Sequence, residues 1–108
     1  ESKILTCLTG SIYNVVIDLR KDSKTYLKSE AIKLDCLARN SILVPGGCAN
    51  AFLTTEDNTI VHYYMNDFFK PSTYSGFKYN DPFFNIQWPA QPIIISDRDN
   101  NFPNYYNE

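Results

Sequence analysis

Short runs of apolar and β-branched residues, each followed by a turn signal, most limit the folds open to this chain. The clearest run covers residues 11–19 and includes Val15, Val16 and Ile17. Side chains branched at Cβ pack well on a pleated surface and are enriched in strands. Repeated short runs of this kind predict an all-β sandwich or barrel.

Six more segments have the composition of strands, and they are residues 3–8, 25–27, 30–34, 42–44, 51–54 and 59–65. A short helix over residues 29–37 is the alternative to the strand at 30–34. Between strands, the Pro-Gly-Gly sequence at 45–47 predicts a tight reversal, because glycine tolerates positive φ. The Glu-Asp-Asn sequence at 56–58 predicts a hairpin turn.

The segment from 66 to 89 has no strand pattern and is rich in aromatic residues. Its aromatic members are Phe68, Phe69, Tyr74, Phe77, Tyr79, Phe83, Phe84 and Trp88. A connection of this length either packs on the sheet or lines a site, and packing is the expectation.

Length and charge narrow the class of protein. A chain of 108 residues supports one domain with a modest core. The net charge of -2 gives no basis for nucleic-acid binding. No apolar run approaches the roughly 20 residues of a membrane span. From the charge and the apolar runs together, neither nucleic acid nor membrane is expected as a partner. The start at Glu1, directly before a strand, predicts a piece of a longer polypeptide.

The three cysteines are widely spaced and form no Cys-x-x-Cys pair. This spacing argues against a disulfide framework and a zinc site, so buried free thiols and a cytoplasmic location are expected. His62 is the single histidine of the sequence. Iron and zinc sites in barrels normally use two or three histidines with a carboxylate, so no metal is expected.

Strand alternation separates His62 from Tyr63, because neighbouring side chains point to opposite faces. His62 is expected to be an ordinary surface or edge residue. From the residues alone, Tyr63 is expected to be a core tyrosine with a hydrogen-bonded hydroxyl.

Four segments, residues 42–53, 57–67, 80–89 and 95–99, resemble in order the sugar-nucleotide 3,5-epimerases typified by dTDP-4-dehydrorhamnose 3,5-epimerase. The resemblance runs from Lys3 to Asp99. It implies the C-terminal portion of a cupin-type double-stranded β-helix, a jelly-roll barrel incomplete at its N-terminal side. On this basis residues 1–99 are a partial barrel and 100–108 a polar, frayed tail. A barrel without its leading strands exposes edges, so aggregation or a homodimer is expected.

The resemblance also implies an activity. The family inverts carbons C3, C5 or both, next to the C4 ketone of a nucleotide-linked 4-keto-6-deoxy sugar, for rhamnose-like polysaccharide synthesis. A base removes a proton, charge spreads into an enolate, and an acid returns a proton from the opposite face. The substrate's carbonyl takes up the electrons, so no cofactor is implied.

Five residues of this chain match functional positions of the family. Tyr63 resembles the general acid, and Lys3 the lysine that holds substrate and stabilises the enolate. Asp99 resembles the aspartate that orients a catalytic histidine. Arg98 is placed to meet the pyrophosphate, and Phe68 to stack on the nucleotide base.

The chain also departs from the family pattern. The base histidine belongs to an Arg-Gly-x-His motif that is absent here, and Asn50 replaces a second histidine as a substrate-binding residue. Tyr64 replaces a common lysine. The chain by itself is therefore expected to be inactive. A non-catalytic sugar-binding or regulatory cupin and a sugar-nucleotide ketoisomerase are the alternative functions.

Overall fold

The computed structural model describes residues 2–65, 80–92 and 95, and these residues contain six strands. The strands are β1 (Lys3–Thr9), β2 (Ser11–Asp18), β3 (Ser29–Asp35), β4 (Ser41–Val44), β5 (Cys48–Thr54) and β6 (Ile60–Met65). The helix considered for residues 29–37 is wrong, because β3 occupies most of that segment. The strand predicted at 25–27 is also wrong, since those residues form turns.

The strands form two antiparallel sheets of three strands each. The first sheet has the order β4-β1-β6 and the second the order β3-β2-β5. The all-β prediction is confirmed. Residues directly opposite each other in such sheets point to the same face, so the register fixes which side chains face the interior.

The main core lies between the inner faces of the two sheets. Leu5 and Val44 of the first sheet pack in one buried cluster with Ile12 and Leu34 of the second. Leu5, Ile12 and Leu34 are 0% exposed. The odd-numbered side chains of β1 up to Cys7 and the even-numbered side chains of β2 therefore define the inner faces.

A second cluster covers the outer face of the second sheet. Val15 and Ile17 of β2 pack there against Phe84 and Trp88. The ring of Trp88 meets Tyr13 edge to face, with 5.8 Å between centroids. The expectation that the aromatic segment packs on the sheet is confirmed for Phe84 and Trp88, whereas Phe83 is 43% exposed. Residues 66–79 lie outside the described part of the chain.

Two predicted turns follow the expected backbone chemistry. Gly47 has φ +85°, and a Cβ at this position would lie 2.6 Å from Cγ of Arg20. Asn58 in the hairpin before β6 has φ 59°, the left-handed conformation that asparagine tolerates. Gly47 therefore leaves no room for a side chain, and asparagine suits the conformation at position 58.

The three cysteines are free. Cys7 is buried, whereas Cys36 and Cys48 are half-buried. The prediction of buried thiols is therefore confirmed fully for Cys7 and only partly for the other two. Burial raises the pKa of the Cys7 and Cys48 thiols. Within residues 2–65, 80–92 and 95, no helix has the length and hydrophobicity needed to cross a membrane.

The carboxylate of Asp18 organises the turn after β2. Arg20 donates to it from its backbone nitrogen, Nε and Nη2, at 2.9 to 3.1 Å. Hydroxyls of Ser23 and Thr25 donate to Oδ2 of the same side chain. These hydrogen bonds, led by those from Arg20, hold the pKa of Asp18 far below its usual range.

Asp18 should therefore make stability depend on acid pH. The folded state favours the ionised carboxylate, so its stabilisation is complete above the unfolded pKa of about 3.9 and is lost as pH falls towards the lower folded pKa. We expect Asp18→Asn to lower the urea midpoint at pH 7 and to flatten the decline below about pH 5. Asp22→Asn, in the same turn but exposed, is the control. Equal acid slopes for the wild type and Asp18→Asn would contradict this role.

Candidate functional site

Tyr63 lies on the inner face of the first sheet. It is directly opposite Leu5, whose side chain is buried in the core. Tyr63 itself is 53% exposed, so its side chain reaches solvent although its position on β6 is on the inner face. The core tyrosine expected from the residues alone is therefore wrong. Tyr63 is a partly exposed residue on the inner face of its sheet.

His62 is opposite Thr6 and takes the outer face of the same sheet. The predicted separation of His62 from Tyr63 is confirmed, and so is the exposed position of His62. Because His62 is the single histidine of the sequence, no histidine of this chain shares the inner face with Tyr63.

Lys3 and Tyr63 occupy the same face of neighbouring strands. Lys3 is opposite Met65 on β6 and opposite Val44 on β4. This register makes Lys3 a diagonal neighbour of Tyr63, a relation in which backbone positions are about 7–8 Å apart. The first sheet thus presents an ammonium group and a phenol together, side by side at the end where β1 begins.

Asn50 lies on the inner face of the second sheet. It is opposite Val16, which packs against the main core, so Asn50 faces the first sheet. The residue is half-buried, and its Oδ1 atom is buried without a hydrogen-bond partner in the described structure. A buried acceptor in this state is costly unless something binds it.

Asn14 on β2 shares this inner face and was not selected from the sequence. It is 0% exposed, and neither Nδ2 nor Oδ1 has a partner among the described residues. Its signal in the sequence is an amide in the middle of a strand that is otherwise mostly β-branched. Strand alternation alone would have placed it beside Ile12 and Val16 in the interior.

Three predicted site residues, Phe68, Arg98 and Asp99, lie outside the described residues, so their roles stay predictions. The described part of the site contains a phenol that donates or accepts, an ammonium that donates, and neutral amides. Such a set suits an oxygen-rich ligand on which negative charge develops. No cluster of three or more metal-ligating side chains occurs within the ranges that the structure describes.

Comparison with known proteins agrees with this arrangement. Residues 1–107 match the profile of the family described as dTDP-4-dehydrorhamnose 3,5-epimerase. The curated dTDP-4-dehydrorhamnose 3,5-epimerase of Methanothermobacter thermautotrophicus is 33% identical over 105 residues, covering 94% of this chain and 57% of that protein.

Solved structures show the same relation. The dTDP-4-dehydrorhamnose 3,5-epimerase of Bacillus anthracis, with TDP and PPi bound, superposes with a TM-score of 0.92 at 35% identity, covering 96% of this chain and 59% of that one. A 3'-monoepimerase from Streptomyces bikiniensis in complex with dTDP-quinovose gives a TM-score of 0.84 at 31% identity, with 95% and 52% covered.

This chain thus spans between half and two thirds of the length of these relatives. The fold is the cupin-type jelly roll of these epimerases. The match extends over nearly every residue of the chain. The chain belongs to the dTDP-4-dehydrorhamnose 3,5-epimerase family.

Proposed function

We propose that the protein to which this chain belongs epimerises a nucleotide-linked 4-keto-6-deoxy sugar at C3, C5 or both, without a cofactor. The observation that carries the proposal is the shared inner face of Lys3 and Tyr63. Relatives with TDP or dTDP-quinovose bound support a dTDP-linked substrate for this chain. The product would feed the synthesis of rhamnose-containing polysaccharide.

The reaction needs a proton donor and positive charge on one side of the sugar. Removal of a proton next to the ketone leaves an enolate, and the ammonium of Lys3 stabilises its oxygen. Tyr63 then gives its phenolic proton to the carbon from the face opposite to the base, which inverts the centre. The ketone re-forms as the electron pair returns to carbon.

The remaining roles fall to residues beyond the described ranges. Asp99 orients the base, Arg98 contacts the pyrophosphate and Phe68 stacks on the base of the nucleotide. His62 is not the base, because it lies on the opposite face of β6. We therefore expect the 108-residue chain alone to leave the substrate's ring protons unexchanged in deuterated water.

Nucleotide-sugar binding gives a direct test. We expect Lys3→Met to weaken dTDP-quinovose binding in calorimetry by about tenfold to a hundredfold, because a charged hydrogen bond is worth about 1.5–3 kcal/mol. Lys33→Met is the control, since Lys33 lies opposite Tyr13, on the other face of the second sheet. Equal affinities for wild type and Lys3→Met would remove Lys3 from the site.

A non-catalytic nucleotide-sugar binder is the second candidate. It is favoured by the outer position of His62 and by the neutral amide at Asn50. The coding sequence immediately before Glu1 discriminates between the two. An Arg-Gly-x-His motif there supports the enzyme, whereas a stop codon or an unrelated domain supports the binder.

We also propose a homodimer. The outer face of the first sheet carries exposed apolar side chains, and they are Ile4, Leu8, Leu43, Ile60 and Tyr64. Ile4, Leu43 and Tyr64 are neighbours in the register of this sheet. Exposed apolar side chains that cluster in this way mark an interaction site, and a second copy of the chain is the partner expected from the family. The free thiols are compatible with a reducing compartment, and we propose the cytoplasm.

Replacement of one residue on that surface tests the dimer. We expect Leu43→Arg to shift the protein from dimer to monomer in sedimentation velocity, because the substitution buries an unpaired charge in the interface. Leu37→Arg is the matched control, since Leu37 is 88% exposed in the turn after β3. A wild-type monomer, or a dimer unchanged by Leu43→Arg, would contradict the proposal.

A further inference from the structure

Two of the three cysteines lie at the end of the sandwich where β1 passes into β2. Strand β1 ends at Thr9 in the first sheet and β2 begins at Ser11 in the second, so Gly10 joins the two sheets at this end. Cys7 lies three residues before Gly10 and is buried in the main core. Cys36 directly follows β3 in the second sheet, so the two thiols belong to different sheets.

The register of β3 brings Cys36 to this connection. Ser11 is opposite Asp35 in the ladder of β2 and β3. The next pair is Gly10 with Cys36, and the backbone nitrogen of Cys36 donates to the carbonyl oxygen of Gly10 at 3.2 Å. Leu34, two residues earlier, points into the main core, so strand alternation directs the side chain of Cys36 to the same inner face.

The two thiols also influence each other electrostatically. Burial raises the pKa of the Cys7 thiol, and the negative charge of a Cys36 thiolate raises it further. A like charge has this effect only from nearby, which agrees with the position that the register gives to Cys36. Cys36 is half-buried, so a small molecule from solvent reaches its sulfur more easily than that of the buried Cys7.

We propose that Cys7 and Cys36 are a site of reversible oxidation, at which hydrogen peroxide links them in a disulfide between the two sheets. The Cys36 thiolate attacks the peroxide, so a sulfur–oxygen bond forms as the oxygen–oxygen bond breaks. The Cys7 thiolate then attacks this sulfenic sulfur, and the sulfur–sulfur bond forms as the sulfur–oxygen bond breaks. Each step releases hydroxide, which takes up the proton that a thiol gave up. Two thiols and one peroxide thus give one disulfide and two waters, and an added thiol reverses the bridge.

The bridge lies away from the proposed substrate site. Cys7 is four residues after Lys3 on the same face of β1, which is about 13 Å along an extended strand. The cross-link therefore joins the two sheets without covering the ammonium group. It also restricts the unfolded chain between residues 7 and 36, which favours the folded state. Oxidation should thus stabilise the protein and leave its affinity for dTDP-quinovose unchanged.

Peptide mass spectrometry under non-reducing conditions tests the bridge. The chain is treated with hydrogen peroxide, its remaining thiols are blocked, and trypsin then places the three cysteines in three different peptides. We expect the peptides of Cys7 and Cys36 to be linked, and to separate after dithiothreitol. Cys36→Ser should give no linked peptide. Cys48→Ser is the matched control and should oxidise like the wild type, because Cys48 is opposite Asp18, at the far end of β2.

Urea unfolding provides the second measurement. The oxidised wild type should have a higher midpoint than the reduced protein, whereas peroxide should leave the midpoint of Cys36→Ser unchanged. A peroxide-treated wild type in which Cys36 stays unlinked, or is linked to Cys48 or to a second molecule, would overturn the proposal. So would a Cys7–Cys36 bridge that leaves the midpoint where it was. If Cys36→Ser fails to fold, the linked peptides and the midpoint of the wild type decide. None of these outcomes depends on the proposed function.

Discussion

Tyr63→Phe should abolish inversion in a full-length protein that turns over substrate, while proton exchange persists. Removal of the phenolic oxygen takes away the acid and leaves the base, so the carbon loses its proton but regains it on the same face. Loss of a general acid typically costs about 10²- to 10⁴-fold in rate. The expected signature by NMR in deuterated water is incorporation of deuterium at C3 or C5 without a change of stereochemistry.

The neighbouring tyrosine provides the control. Tyr64 is opposite Ile4 on the outer face and is 66% exposed, so Tyr64→Phe removes the same hydroxyl from a surface away from Lys3. Its inversion rate should equal that of the wild type. A Tyr63→Phe enzyme that inverts at the wild-type rate would end the assignment of Tyr63 as the acid.

Leu5→Ala should cause the largest loss of stability. Leu5 is 0% exposed and packs in the cluster that joins the two sheets. Replacement of a buried leucine by alanine costs about 2–5 kcal/mol, because transfer energy is lost and a cavity remains. A small domain has only about 5–15 kcal/mol of net stability, so much of it would disappear.

Urea unfolding followed by tryptophan fluorescence measures this loss, since Trp88 packs on the second sheet. Leu37→Ala is the matched control, because it makes the same change at a side chain that is 88% exposed in the turn after β3 and lies outside the proposed dimer surface. Its cost should be well below that of Leu5→Ala. Equal costs for the two would show that the inner face of β1 is not the core.

Much of the fold was predictable because short strands carry local signals. The β-branched run of β2 and the alternation in β6 are properties of neighbouring residues, and so are the turns at Gly47 and Asn58. The segment 25–27 was misjudged for a tertiary reason. The hydroxyl of Thr25 donates to the carboxylate of Asp18, and the backbone nitrogen of Leu27 donates to the carbonyl oxygen of Asp18, so the segment is held in a turn.

The site was less predictable than the fold. Tyr63 and Lys3 were selected through family resemblance, and nothing local shows that their strands pair in the register that joins them. Strand alternation places Asn14 among the inward-facing residues, but the sequence does not show whether its amide finds a hydrogen-bond partner there. Its cost becomes visible only once both neighbouring strands and the first sheet enclose it.

The sequence by itself determined most of the strands, the turns at Gly47 and Asn58 and the opposite faces of His62 and Tyr63, because these follow from backbone preferences and the two-residue repeat of a strand. The tertiary structure alone decided that β1 pairs with both β4 and β6, and that Asn14 and Asn50 share an interior face. Strand pairing joins residues as far apart as Lys3 and Met65. It is selected by the burial of whole faces, a property that no short segment contains.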